Sequence, residues 1–359
     1  MIYIEDSIKL LREMVGIPSF SFEEKKVSDH LASALERWGL FPVLFGKNIV
    51  AANRFFNPEH RTLVLDAHID TVGPAEGYSR DPYDPGDDPD IVYGLGSNDD
   101  GGSVVSMIAA FRHFFDRKLN INILLSLSAE EEKSGPDGAS LLFGPEGPSE
   151  VRNADWVMIG EPTGMKVATS ERGLLVLDGE AAGVSGHAAR SEGVNALYIA
   201  LDDINALRTH KFGKISPIMG EVHLNVTQID AGCAHNVIPD KCRFVVDVRP
   251  TDRYSNRELY EELQSLCRSR LTPRNLKNSS SATYKDSPLL AAVAELGMET
   301  FSSPTTSNWM RTGKDAVKMG PGDSGRSHKA DEYILRSEIE DAVDKYIRFI
   351  EVLNGNTLE

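Results

Sequence analysis

The chain has 359 residues, 41% of them apolar and 26% charged, and a formal net charge of −16. That length and apolar content can bury the cores of two domains, whereas so acidic a chain lacks the basic face that phosphate backbones or anionic membranes require. No apolar run approaches a membrane span, residues 1–6 carry neither the basic nor the apolar segment of an export signal, and the three cysteines (Cys233, Cys242, Cys267) are odd in number and lack metal-finger spacing, so the chain is expected in the cytoplasm with reduced thiols.

Ile4, Ile8, Leu11 and Val15 recur at helical spacing and predict a first helix. Ser21-x-x-Glu24 reads as the capping box of a second, which carries Val27, Leu31, Leu35 and Trp38 inward and stops at Gly39. The apolar run 62–67 predicts a buried strand that ends on His68. Val104, Val105, Ile108, Phe111 and Phe115 mark a helix after Asp99; residues 121–129 form a second buried strand ending at Glu130-Glu131-Glu132, and 155–160 a third ending at Glu161. Three apolar strands that each end on a metal-ligand type of residue follow the open α/β rule, in which sites gather at the carboxyl ends of the strands.

The texture changes near Glu171. Residues 174–184, 220–229 and 241–248 read as strands, and 195–207 and 256–270 as helices, with a closing strand near 282–284. This is the β-α-β-β-α-β order of a ferredoxin-like sandwich. The first pattern then resumes with a helix near 289–297, a strand at 316–319, and a last helix capped by Ser337-x-x-Glu340, with His328 in the loop between. The expected architecture is an α/β catalytic domain with a central mixed sheet flanked by helices, residues 1–170 and 286–359, interrupted by an inserted ferredoxin-like α+β domain at 171–285 that serves as lid and dimerisation surface.

Two histidines, an Asp near position 99 and two glutamates could supply a pair of zinc-like ions if one carboxylate bridges them. In His68-Ile69-Asp70 the two polar residues share a side, so Asp70 can accept the proton on the ring nitrogen facing away from a metal and orient the imidazole. A surface pair is the plainer reading of an isolated His-x-Asp; a preceding buried strand and further ligand candidates favour metal. Gly94-x-Gly96-x-x-Asp99 does not fit a dinucleotide fingerprint, because no buried strand leads directly into it. Its glycines let the chain turn sharply so that Asp99, or its competitor Asp100, faces the ions. In the Glu130-Glu131-Glu132 run one acid can hold an ion while another takes a proton from water and passes it on. Solvated acids at a strand end are the plainer alternative.

Taken together, these motifs resemble the co-catalytic zinc amidohydrolases, the family of acetylornithine deacetylase, succinyl-diaminopimelate desuccinylase, aminoacylase and the glutamate-type carboxypeptidases, over essentially the whole chain. The resemblance implies His68, Asp99, Glu132, Glu161 and His328 as ligands of two divalent ions, most often Zn²⁺, with Co²⁺ or Mn²⁺ as alternatives. Asp99 would bridge the ions, joining His68 and Glu161 on one and Glu132 and His328 on the other. It implies Asp70 as orienter and Glu131 as general acid/base. It also implies that His187, in Ser185-Gly186-His187-Ala188-Ala189-Arg190, reaches a partner subunit's site and steadies the oxyanion. Asn236, Arg249, Thr306, Ser307, Gly320 and Gly322 would line the substrate pocket, Arg249 pairing with a carboxylate through its fork. Two positions depart from the pattern: Glu130 stands where the family often has Asp, and Asp99-Asp100-Gly101-Gly102 replaces the common D-M-K-G. The segments Ile159-Gly160-Glu161-Pro162-Thr163 and Gly320-Pro321-Gly322-Asp323-Ser324 are most similar to those of the deacylases that release an acetyl or succinyl group from ornithine, citrulline or carrier-linked lysine in arginine or lysine synthesis. A dinuclear di- or tripeptidase is the alternative activity, and a catalytically silent peptide or amino-acid binder the alternative of a different class.

Overall fold

The computed structural model describes residues 3–190 and 192–356. The chain divides into two units: Met1–Thr169, Ala282–Phe301 and Ser307–Glu359 make the first, Ser170–Ser281 and Ser302–Thr306 the second.

In the first unit the apolar runs become the four parallel strands of a nine-stranded mixed sheet, in the order Ile121–Ser128, Arg61–His68, Trp156–Ile159, Asp315–Lys318. Apart from Arg61, every residue of these strands is buried, as a parallel sheet covered on both faces demands. Leu63, Leu65 and Ala67 pack on the face shared with helices Ile4–Val15, Lys25–Arg37, Gly102–Phe114 and Arg336–Asn356. Val64, between them in sequence, points to the other face with Leu142, Val151 and Trp309. Antiparallel strands Asn48–Ala52 and Val43–Phe45 complete one edge. Val167–Glu171, Ser281–Ala282 and Thr300–Ser303, where the chain passes between the units, complete the other.

Because the four central strands run the same way, their carboxyl ends lie on one edge. They deliver His68, the 130–132 run, Glu161 and the 320–328 loop to that edge, while Asp99 arrives in the turn just before helix Gly102–Phe114.

The second unit has strands Leu175–Ala182, His223–Ala231, Lys241–Arg249 and Arg270–Pro273, all antiparallel neighbours. Numbered in chain order within the unit, they lie 2-3-1-4 across the sheet, the ferredoxin-like arrangement. Helices Ala196–Thr209 and Asn256–Leu266 supply its core, with Ile199, Leu207, Leu259 and Leu263 against Leu177, Phe244, Val246 and Val248. Here Ser255 and Glu258 do form a capping box.

Three local expectations fail, each for a physical reason. The strand closing this sheet is Arg270–Pro273, not 282–284; Ser281–Ala282 hydrogen-bonds instead to Val167–Glu171 in the larger sheet. The box at Ser21-x-x-Glu24 does not form. Its helix starts at Lys25 without a side-chain cap, because the Ser21 hydroxyl donates to Asp70 Oδ2 (2.7 Å) and Glu24 Oε1 accepts from the N–H groups of Phe22 (2.7 Å) and Glu130 (3.1 Å). The last helix starts at Arg336, ahead of Ser337, and the Glu338 carboxylate receives the Leu335 N–H at 2.9 Å.

Candidate active site

His68, at the end of its strand, is 3% exposed. Its Nδ1 lies 2.9 Å from the Asp70 carbonyl oxygen and 3.5 Å from Asp70 Oδ1, so the main-chain oxygen is the closer partner for the ring N–H. The Asp70 carboxylate is engaged elsewhere: Oδ1 accepts from Glu131 N–H (3.0 Å), and Oδ2 from Glu132 N–H (3.1 Å) and Ser21. Asp70 thus fixes both the imidazole and the turn bearing the two glutamates. With Nδ1 committed, Nε2 is the free ligand atom of His68, and it faces Asp99 Oδ1 at 3.2 Å.

Asp99 is held from behind. Glu332 Oε1 accepts the N–H groups of both Asn98 and Asp99 at 2.9 Å, and burial pushes the Glu332 carboxyl up to about 7. Asp100, the competing ligand in the sequence, is buried and turns its Oδ2 toward the His68 main-chain N–H at 3.3 Å, so it supports the strand end. His328 Nε2 approaches Glu132 Oε1 at 3.0 Å and Asp99 Oδ2 at 3.8 Å. Ligand atoms of His68, Asp99 and Glu132 all lie within 4.8 Å of one another, as do those of His68, Glu131 and Glu161. The first unit therefore brings together all five ligand candidates with Glu131 and Asp70.

These acids are crowded beyond what their neighbours neutralise. Burial first, and then the charges of Glu132, Asp70 and Asp99, push Glu131 up to about 8 against the pull of His68. Burial also drives Glu161 well above the usual carboxylate range, with Lys318 opposing and Asp99 and Glu131 reinforcing. Burial opposes charge on His68, yet hydrogen bonds to Asp70 and Asp99 raise its pKa well above the ordinary imidazole value. Carboxylates that suppress one another's ionisation, gathered around an imidazole, are a donor set that two divalent cations would satisfy.

Gly320 and Gly322, expected to line the pocket, are enclosed by the loops that carry ligands. A Cβ at Gly320 would lie 2.5 Å from the Glu161 carbonyl oxygen and 2.4 Å from Ser103 Oγ, and one at Gly322, where φ is +85°, would lie 2.3 Å from Asn98 Oδ1. Asn98 in turn accepts from Asp323 N–H at 2.9 Å. The two glycines let the 320–328 loop close onto Glu161 and Asn98. Ser307 is fully buried and accepts from Trp309 N–H at 3.3 Å. The next residue, Asn308, donates to Asp66 Oδ2 (3.1 Å) and Ser128 Oγ (2.8 Å).

His187, Asn236, Arg249 and Thr306 belong to the second unit. His187 and Asn236 are neighbours on a small ribbon in which Gly186–His187 pairs with Val237–Ile238 and Ala188 N–H donates to the Asn236 carbonyl at 3.0 Å. His187 is exposed, and its Nδ1 accepts from Ala189 N–H at 3.2 Å. That bond selects the tautomer with the proton on Nε2, leaving Nε2–H as an outward donor. The Arg249 fork is already in use: Nε and Nη2 donate to Asp247 Oδ1 (2.8 Å) and Oδ2 (3.1 Å).

Sequence reasoning passed over Lys47, Glu332 and Arg311, and read Ser21 only as a helix cap. Arg311 is half-buried, its Nε has no partner among the described residues, and Glu131 is the one charge felt to raise its pKa against burial. Lys47, Glu332 and Arg311 sit in no motif and Ser21 sits in one it does not serve; each is brought in by tertiary packing.

Residues 64–352 match the model of Peptidase family M20/M25/M40. The chain belongs to that family. A succinyl-diaminopimelate desuccinylase from Xylella fastidiosa is 25% identical over 98% of this chain and 99% of its own length, and an acetylornithine deacetylase from Edwardsiella ictaluri is 27% identical over 91% and 92%. Among solved structures, a dinuclear metal-binding M20 peptidase from Bacillus subtilis superposes with a TM-score of 0.70 at 14% identity, covering 98% of each chain. M20 membership makes this protein a metallohydrolase of amides in a family that binds two metal ions. Among the described residues no helix is long and apolar enough to cross a membrane.

Proposed function

We propose that the protein is an N-acyl-amino-acid deacylase of the cytoplasm. It removes an acetyl or succinyl group from the amino group of an amino acid such as ornithine or citrulline, within arginine or lysine biosynthesis. The observation that carries the reading is the cluster at the strand ends: two imidazoles and several carboxylates converge, with Glu131 among the ligand candidates yet set beside Glu132 and held by Asp70.

His68, Asp99 and Glu161 would hold one Zn²⁺, and Asp99, Glu132 and His328 the other. When bound, the ions supply Lewis acidity to the scissile carbonyl and to water. Glu131 takes the proton from the attacking water and delivers it to the leaving amine, a role suited to a carboxyl whose surroundings raise its pKa. Asp70 orients both partners through its carbonyl to His68 and its carboxylate to the turn. His187 offers Nε2–H to the oxygen that gains charge. Arg249, aimed by Asp247, meets a substrate carboxylate with its remaining N–H groups, and Asn236 and Thr306 contribute polar contacts beside it.

The relatives named above that match this chain nearly end to end are deacylases, which favours deacylation over peptide hydrolysis. The similar fold of an M20 peptidase keeps a dinuclear di- or tripeptidase as the second reading. A panel of acetyl- and succinyl-ornithine, -citrulline, -lysine and -diaminopimelate beside dipeptides and tripeptides, assayed with Zn²⁺-, Co²⁺- and Mn²⁺-loaded protein, separates them. Hydrolysis confined to the peptides would overturn the deacylase assignment. Failure to hydrolyse any amide with two ions bound would favour a silent binder.

The second unit is also the proposed homodimer surface. Strand His223–Ala231 is an edge of its sheet. Ile229 on that strand is 50% exposed, and Tyr198 and Leu201 on helix Ala196–Thr209 are 65% and 47% exposed. An open edge beside exposed apolar side chains is a surface that natural proteins cover.

A further inference from the structure

Glu130 stands where the family often has the shorter Asp, and it takes φ +61°, uncommon for a residue with a side chain. Such a conformation persists only where its surroundings over-determine it. Here they do. Glu130 is 2% exposed, its main-chain N–H goes to Glu24 Oε1 (3.1 Å), its carbonyl accepts from Gly135 N–H (2.8 Å), and its Oε2 accepts from Asp137 N–H (3.0 Å). The turn wraps so closely that a Cβ at Gly135 would lie 2.1 Å from Glu130 Oε2.

The fully buried Glu24 and Glu130 would repel each other but for Lys47, whose Nζ lies 2.7 Å from Glu24 Oε2 and 2.8 Å from Glu130 Oε1. Lys47 sits in the turn joining Val43–Phe45 to Asn48–Ala52, and the next residue, Asn48, accepts the Ala129 N–H at 2.8 Å. Four consecutive N–H groups, 129 to 132, are therefore each received by a side chain: Asn48, Glu24, and Asp70 twice.

We infer that Lys47 is a positioning residue for hydrolysis, the ionic clamp of a Glu24–Lys47–Glu130 triad that holds the left-handed bend at Glu130 and so aims Glu131 and Glu132 at the site. The longer side chain at 130 is what reaches both Lys47 and Asp137. The inference rests on the roles proposed for Glu131 and Glu132, and it is separable from them because its first readout needs no turnover.

Amide hydrogen exchange on the metal-loaded protein provides that readout. In Lys47→Met the amides of 129–135 and 137 should lose protection while those of strand Ile121–Ser128 up to Leu127 keep theirs. Turnover of the best panel substrate should fall about 10²-fold in kcat, the order expected from a displacement of about 1 Å in a catalytic group. KM should stay within about twofold, since ground-state binding is untouched. Lys47→Arg, which keeps the charge, should recover most of both signals. Because two unpaired buried acids could unfold Lys47→Met, the pair Lys47→Met/Glu130→Gln removes one charge. It should restore folding yet leave 129–137 exchanging fast and kcat low. Wild-type exchange in 129–137 in either variant, or full kcat in the pair, would overturn the clamp. If Glu131→Gln is fully active, the catalytic assignment fails instead, and the exchange result still decides the role of Lys47.

Discussion

The two sheets of this protein obey different rules. Strand Ile121–Ser128 is buried at every position and Arg61–His68 at every position but the first, whereas Leu175–Ala182 and Lys241–Arg249 alternate between buried and partly exposed residues. The first pattern belongs to a parallel sheet sandwiched between layers, the second to an antiparallel sheet with helices on one face. The difference divides the chemistry. His68, Glu132 and Glu161 follow the buried strands of the first sheet, with Asp99 in a turn and His328 on an exposed loop, whereas the candidate oxyanion donor and carboxylate reader sit on a ribbon and a half-exposed strand. An enzyme that must hold ions rigidly yet admit substrates gains from that separation.

The sharpest test of the rigid edge is its acid/base. Glu131→Gln should retain both ions and lose about 10²–10⁴-fold in kcat, the range of general acid–base catalysis. His68→Ala should instead lose metal. Metal analysis beside steady-state kinetics decides between them, and loss of ions from the Glu131 variant with retention in Glu132→Gln would exchange the two roles.

Next in size is the packing contrast. Leu65 is fully buried in the middle of the parallel sheet, so Leu65→Ala should cost about 2–5 kcal/mol of stability. Ile229→Ala, at a half-exposed position of the antiparallel sheet, should stay within about 0.5 kcal/mol in the separated protomer. Denaturant unfolding measures both; equal losses would mean that the second sheet is no less committed to packing than the first.

The same contrast explains what could be read from the sequence. The central strands were legible because continuous apolar runs bounded by ligand types have few other readings, and the β-α-β-β-α-β order of the second unit because its alternation and spacing are local. Ser21 and Glu24 misled because their spacing is that of a helix cap, while the groups that claim them, Asp70 and the Glu130 N–H, are remote in sequence. The closing strand was misplaced because the preceding helix was expected to run to Arg270, the residue at which the short strand Arg270–Pro273 begins. Lys47, Glu332 and Arg311 carried no signal, since their importance comes only from what the fold sets beside them. Asp70 was expected to orient His68 through its carboxylate; the nearer contact is its carbonyl, a distinction no sequence contains.

A smaller effect is expected at Arg249. Two of its donors are held by Asp247, so it can offer a substrate carboxylate only part of its fork. Arg249→Lys should lower kcat/KM by about 10–100-fold, the worth of a charge-assisted hydrogen bond. A substrate with its α-carboxylate replaced by an amide should lose a similar factor with the native enzyme and little more with the variant. Two losses that simply multiply would remove Arg249 from the carboxylate site.

The smallest effect on stability carries the largest consequence for assembly. Tyr198 and Ile229 are 65% and 50% exposed, so Tyr198→Lys/Ile229→Lys should leave the protomer's stability within about 1 kcal/mol. If these residues pair two copies, the like charges should turn a dimer into a monomer in sedimentation velocity. If His187 also serves the partner's site, the monomer should lose activity by the same factor as His187→Ala, about 10²–10³-fold for an oxyanion donor. Mixing inactive His187→Ala and Glu131→Ala proteins should then restore about a quarter of the native activity, because random exchange makes half the dimers mixed and each mixed dimer has one intact site. A monomer that keeps full activity would confine His187 to its own chain. A mixture that stays inactive after confirmed subunit exchange would exclude its action across the interface.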